Sequence, residues 1–214
     1  AGHEIGNHGY THERFVEKTV EEQREIIEKT QRIIKEITGK EPEGFRTPSG
    51  DWHVRTPYIL SEMGFAYSSS MRGDDKPYYT VLDGEESDLV EIPSKWELDD
   101  YVAQAYSVYP AEPSGLDRIS CYRNVQDNDI REFRGYYDMG LCIVFLMHPQ
   151  ISGAPGRILV LEEVLREITS HEDVWIATGS EIAKYWKQAY PRKNQQSHKP
   201  GSRRNTPDGG GKEA

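Results

Sequence analysis

The chain of 214 residues is long enough for one sizeable domain with a hydrophobic core. Its 36 acids against 26 bases leave a net charge of −10, which repels phosphate backbones and anionic bilayers, so neither nucleic acid nor a membrane is an expected partner. The longest apolar run, Leu141–Met147, is strand-sized and falls far short of the roughly 18 residues a spanning helix needs.

Two cysteines, Cys121 and Cys142, are too few for a disulfide framework. Cys142 lies inside the apolar run and reads as a small buried hydrophobe. A reducing, cytoplasmic setting is the resulting expectation. The chain opens Ala1-Gly2-His3, with no Met and no signal-peptide pattern, so any targeting signal is expected upstream of it.

In chain order, the first predicted element is a helix over Val20–Thr38. Thr19 and Glu22 form a capping box, Val20, Ile26, Ile27, Thr30, Ile33, Ile34 and Ile37 recur at helical spacing, and Gly39 supplies the left-handed stop. A second helix is predicted over Pro57–Met63 with Thr56 as N-cap and Gly64 as stop. Short strands are expected at Phe65–Tyr67 and Leu89–Ile92, with turn chemistry between them at 73–77. The stretch 101–120, with two prolines and scattered aromatics, predicts no clear element.

A helix over Ile130–Met139 ends at Gly140, and Leu141–Met147 reads as a strand buried on both faces. A helix at Leu159–Thr169, a strand at Val174–Ala177 and a helix at Glu181–Gln188 follow, the last behind a Thr178/Glu181 capping box. Alternating helices and strands predict an α/β fold with a parallel sheet. Residues 1–190 are expected to form one domain and 191–214, poor in anything to bury, a disordered polar tail.

Several residues could carry chemistry. His8 and His12 stand four apart; on one helical turn their imidazoles would share a face and suit one metal ion, although a plain pair of surface histidines has the same spacing. His3 is wrongly spaced and reads as structural. His148 follows the apolar run directly, where parallel α/β folds place their sites, and histidine can protonate a leaving group near neutral pH; capping the strand is the plainer alternative. Arg46, before the Pro48-Ser49-Gly50 turn, can hold a carboxylate bidentately or sit solvated in its loop. Asp74-Asp75 and Asp99-Asp100 are acidic pairs in loops, where turns alone favour Asp. Of the tryptophans that could line a sugar site (Trp52, Trp96, Trp175 and Trp186), Trp96 is the best candidate for a pocket wall, while Trp175 and Trp186 read as core. No nucleophile-elbow or phosphate-loop pattern occurs.

These pieces stand in a familiar order. The run GHEIGNHGYTH at 2–12 resembles the second motif of the polysaccharide deacetylase (NodB-homology, carbohydrate esterase family 4) superfamily. FRTPS at 45–49 resembles its third motif and LMHP at 146–149 its last. The segments 67–78, 92–100 and 175–182 resemble a branch that holds allantoinase-like and intracellular-type peptidoglycan deacetylase proteins. The likeness runs from about Gly2 to Gln188.

The resemblance implies a distorted (β/α) barrel, lacking its first strands in this chain. It implies a divalent metal, zinc foremost, on His8 and His12, and metal-bound water attacking an N-acyl or amide carbonyl. Arg46 would orient the catalytic acid residue and His148 protonate the leaving amine. Trp96, Pro48 and Asp74 are the expected substrate contacts. The implied substrate is an N-acylated sugar or a small ureide or imide, and a homo-oligomer is compatible with the family; a non-catalytic carbohydrate-binding relative is the alternative. The family's first motif, an Asp-Asp pair supplying a third ligand and a general base, has no counterpart here. The chain alone is therefore expected to be catalytically weak or inactive, with Asp51 and Asp74 as the substitute ligands to examine. Ser68 replaces the Asp usual in that branch.

Overall fold

The computed structural model describes residues 2–105 and 120–192. The first secure element is helix α1, Val20–Thr38, as the capping box and Gly39 predict: Thr19 accepts from the Glu22 amide, Glu22 accepts from the Thr19 amide, and Gly39 has φ 76°. Its buried face is narrower than the apolar stripe. Ile37 is exposed, while Gln23 is wholly buried because each polar atom of its amide is matched. Nε2 donates to the carbonyls of Phe15 and Lys18, and Oε1 accepts from Thr56 Oγ1 at 2.8 Å. Helix α2 (Thr56–Glu62) starts one residue earlier than predicted, with Arg55 rather than Thr56 as its N-cap.

Strand β1 (Gly44–Phe45) pairs parallel with β2 (Tyr67–Ser68), which pairs parallel with β4 (Glu85–Glu91). Asn7 adds a parallel rung beyond β1, its N–H donating to Gly44 O and its carbonyl accepting from Arg46 N. Strand β3 (Tyr78–Leu82), absent from the sequence reading, forms an antiparallel hairpin with β4. Its turn is Asp83-Gly84, both at positive φ.

The core lies between this sheet and helices α1 and α2. Phe15, Ile27, Phe45, Ile59, Leu60, Phe65 and Leu89 pack together there, with Phe45 meeting Phe15 and Phe65 edge to face. A glycine is required at Gly44: a Cβ there would lie 2.0 Å from the Tyr67 ring, and one at Gly179 would meet the ring at 2.2 Å. The two backbones clamp Tyr67 between them.

The second half is helical: α3 (Asp100–Gln104), α4 (Tyr122–Met139), α5 (Pro149–Ser152), α6 (Arg157–Thr169) and α7 (Gly179–Ala189). Gly140 and the Thr178/Glu181 capping box act as predicted, and α4 starts eight residues earlier than the pattern suggests. Phe133, Val164 and Ile168 join α4 to α6.

Two predicted strands are corrected. The run 141–147 is only half-buried, with a single parallel bridge from Leu146 to Asp99. Its backbone reaches neighbours at its ends, Cys142 N to Asp75 O and Leu146 N to Leu98 O, and the intervening residues pair with no strand among those described. Val174–Ala177 forms no strand either, and Trp175, expected in the core, is 57% exposed. The strand placed at 65–67 begins two residues later, at Tyr67.

The sheet is therefore mixed and open among the described residues; it does not close into the expected barrel. Both cysteines are free thiols. No helix among the described residues is long and apolar enough to cross a membrane. Most of the predicted tail, 193–214, and most of the unassigned stretch, 106–119, lie outside the described residues. Arg192 is docked on strand β4 through Asp88 at 2.8 Å.

Candidate functional site

Parallel strands aim their carboxyl ends the same way, and the residues that leave those ends converge. His8 follows the Asn7 rung, Arg46 follows β1, Ser69 and Ser70 follow β2, and His148 follows the Leu146 bridge.

The histidine pair is not on a helical turn. Residues 8–12 form a loop bent by Gly9 at φ 72° and His12 at φ 62°. Glu13 holds this bend, its carboxylate accepting from the Tyr10 and Thr11 amides and the Thr11 hydroxyl. Burial pushes the Glu13 carboxyl up, but those hydrogen bonds outweigh it and hold the pKa below the usual value. A Cβ on Gly9 would meet Glu13 Oε2 at 2.8 Å and Pro48 Cγ at 3.1 Å, so the bend closes only around glycine.

The loop still brings the two imidazoles together, with centroids 5.1 Å apart and rings steeply inclined. His8 Nδ1 lies 2.7 Å from the Arg46 carbonyl, which can only accept, so Nδ1 carries the proton and Nε2 is left with its lone pair. Although the residue keeps an exposed edge, desolvation of the ring lowers its pKa, and the positive charges of His12, Arg46 and His148 add to this. A neutral imidazole with its second nitrogen fixed is the form that binds metals.

Arg46 is half-buried and meets no carboxylate within hydrogen-bond distance among the described residues; its Nη2 donates to Ser69 Oγ at 2.6 Å. Below it Glu91, 1% exposed, accepts from the amides of Ser70 and Met71 at 2.6 and 2.7 Å. Burial raises the Glu91 pKa, and these amides with the Arg46 charge oppose the rise. Ser68 is buried and donates to Ser70 Oγ. Arg72 stacks its guanidinium 3.5 Å from the Trp96 ring centroid, leaving that tryptophan 46% exposed at the rim. Pro48 is buried beside Gly9. Asp74 sits on an exposed turn, its Oδ1 accepting from the Asp75 and Lys76 amides, and Asp51 pairs with Arg14.

The sequence reading left Asp99 and Asp100 as loop acids; the fold makes Asp100 a partner of His148, 48 positions away. Asp100 Oδ1 accepts from His148 Nδ1 at 2.6 Å, and Oδ2 accepts from the His148 and Ser152 amides and the Ser152 hydroxyl. Nδ1 is thus the protonated nitrogen and Nε2 points away from the carboxylate. Tyr101 packs on the ring at 5.4 Å. Asp99 Oδ1 is 3.8 Å from His148 Nδ1, and burial raises the Asp99 pKa.

Two places offer ligating atoms to a divalent cation. Asp99, Asp100 and His148 lie close enough to share one. However, Asp100 already accepts four hydrogen bonds and His148 Nδ1 is committed to it, so this trio reads as a device that orients the imidazole. His8 and His12 have uncommitted nitrogens, but no third acidic, histidine or cysteine ligand joins them among the described residues. Two imidazoles fall short of the three protein ligands of a catalytic zinc.

Residues 1–68 match the profile of the polysaccharide deacetylase family. A peptidoglycan deacetylase of Helicobacter pylori is 31% identical over 217 residues, which span 90% of this chain and 73% of that protein. The chain belongs to the polysaccharide deacetylase family. Among solved members, a structure from Mycobacterium smegmatis of the polysaccharide deacetylase type is 35% identical, with a TM-score of 0.77 over 88% of this chain and 64% of that one. An allantoinase shares the fold at 23% identity, with a TM-score of 0.75 over 89% of this chain and 61% of its own. The chain thus spans a little under two thirds of these two solved relatives.

Proposed function

We propose that the protein is a metal-dependent N-deacetylase acting on an N-acetylated glycan of the peptidoglycan or polysaccharide type. The observation that carries this reading is the convergence of His8, His12, Arg46 and His148 at the carboxyl ends of parallel chain segments. The relatedness to a peptidoglycan deacetylase supports the substrate class, whereas the allantoinase likeness speaks to the fold alone.

Hydrolysis of an acetamide forms a bond from water oxygen to the acyl carbon and breaks the carbon–nitrogen bond, releasing acetate and a free amine. A divalent ion, zinc being the best match to imidazole, would be held by His8 and His12 and would supply Lewis-acid chemistry there. His148 supplies the proton. Its Nδ1 is held by Asp100, so Nε2 faces outward to protonate the leaving nitrogen. Arg46, anchored by Ser69, presents a fixed positive charge beside the histidines. The exposed Trp96 ring, steadied by Arg72, offers a flat apolar surface for a sugar face. The distorted barrel of the family, and a one-domain extent of 1–190, are part of this same reading.

With two imidazoles and no third ligand beside them among the described residues, the 214-residue polypeptide is expected to bind zinc weakly, in about the micromolar-to-millimolar range. Replacing His8 with Ala is expected to remove that binding. Calorimetry on the purified chain checks this. Tight stoichiometric binding that survives His8→Ala would place the metal elsewhere.

A further inference from the structure

Helices α3, α4, α5 and α6, with the segment 97–99, line a cleft of about 310 Å³ that is open on one side, and none of His8, His12, Arg46 or His148 lines it. Its size matches a small molecule rather than a single water, whose share of liquid volume is about 30 Å³. Leu98, Val125 and Val160 give it an apolar wall, while Gln104, Asp129 and Arg157 give it polar groups.

Two of those groups lack what they need. Gln104 is 3% exposed, and its Oε1 is buried without a hydrogen-bond partner among the described residues. Asp129 is 7% exposed, and among the described residues its carboxylate accepts a 3.5 Å contact from Asn128 Nδ2. Burial pushes the Asp129 carboxyl up to about 6; the Asn128 contact opposes this, and the negative charges of Asp100 and Glu132 reinforce it. Among the described residues the cleft therefore holds two buried acceptors, Gln104 Oε1 with no donor and the Asp129 carboxylate with one long contact. Such groups are costly unless something satisfies them.

The missing partner must bring N–H donors and positive charge. An anion would be repelled by Asp99, Asp100 and Asp129, which all line the space. A hydroxyl brings one donor and no charge. A bare metal ion would leave most of the volume and the apolar wall unused. Arg157, also in the lining, disfavours a second positive charge on the occupant.

We propose that this cleft is a binding site for a small primary amine in its ammonium form, the head on Asp129 and Gln104 and a short apolar body against Leu98, Val125 and Val160. Asp100 and Ser152 form part of the same wall, so an occupant touches the residues that hold His148.

The test titrates n-butylammonium chloride into the 214-residue protein without metal or substrate, followed by backbone amide NMR shifts. Saturable shifts on α3 and α4 are expected, with n-butanol, the uncharged analogue, producing none. Asp129→Asn and Gln104→Leu are each expected to weaken binding by about tenfold or more. Asp129→Asn should remain folded, because burial already favours a neutral group there, and its amide spectrum verifies this. Equal binding of butanol, unchanged affinity in folded Asp129→Asn, or no saturable shift for the wild type overturns the proposal. Since the readout uses neither metal nor glycan, it is independent of the deacetylase reading.

Discussion

Replacing His148 with Ala in the protein expressed from its complete reading frame is expected to lower kcat for acetate release by about a hundredfold to ten-thousandfold, with KM within about twofold. The reasoning rests on the bonds around the ring. His148 Nδ1 and amide both donate to Asp100, and Ser152 fixes that carboxylate from its other side. The only ring nitrogen left for chemistry is Nε2, so removing the imidazole removes the proton donor while Trp96 and Arg46 keep their places. Asp100→Asn is expected to cost about tenfold to a hundredfold in kcat. A carboxamide no longer selects the Nδ1-protonated tautomer or stabilises the imidazolium. Steady-state kinetics of acetate release on an N-acetylated glycan measure both variants. An Asp100→Asn enzyme with unchanged kcat would show that the contact merely shapes the loop.

The second large effect concerns stability. Gly44→Val is expected to destabilise the fold by about 3 kcal/mol or more, read by urea denaturation of the 214-residue chain. A side chain at 44 would enter the Tyr67 ring, which cannot retreat because Gly179 closes its other face. The damage reaches the site, since Gly44 O accepts from Asn7 N immediately before His8. Gly39→Ala is the control: Gly39, unlike Gly44, has positive φ, and it has open space around it, so backbone strain alone should cost about 1 kcal/mol. Adding Tyr67→Ala to Gly44→Val should recover part of the loss, because the pair shares one volume. Equal, small losses for Gly44→Val and Gly39→Ala would mean the clamp does not exist.

What the sequence discloses depends on how far apart the partners lie. Caps are local, so Thr19, Glu22 and Gly39 mark α1 to the residue, and Thr178 with Glu181 marks α7 nearly as well. The β3–β4 hairpin was legible too, since Asp83-Gly84 is a strong two-residue turn signal between strand-like runs. The acids Glu85, Glu86 and Asp88 beside the turn mask that signal, because they break the apolar alternation of a strand. Periodicity and apolarity misled where tertiary context decides. The run 141–147 looks like a doubly buried strand, yet among the described residues it is half-buried and forms a single bridge, from Leu146 to Asp99. Trp175 looks like core and stands on the surface.

The site divides the same way. The order of the histidine, arginine and final histidine motifs was visible, but their physical partners were not. Asp100 meets His148 from 48 positions away, and Arg46 meets Ser69 from 23. Glu91 reads as one more acid in an acidic chain until the strand register buries it under Ser70 and Met71. Even the spacing of His8 and His12 was read with the wrong geometry. They converge through two left-handed backbone positions rather than one helical turn.

The most direct measurement of the central claim is acetate release from N-acetylated peptidoglycan by the protein expressed from its complete reading frame, after chelation and after zinc is restored. The account predicts release of acetate with matching free amines, loss on chelation, recovery with zinc, and no recovery in His8→Ala. Release that persists without metal, or that zinc restores equally in His8→Ala, would contradict it.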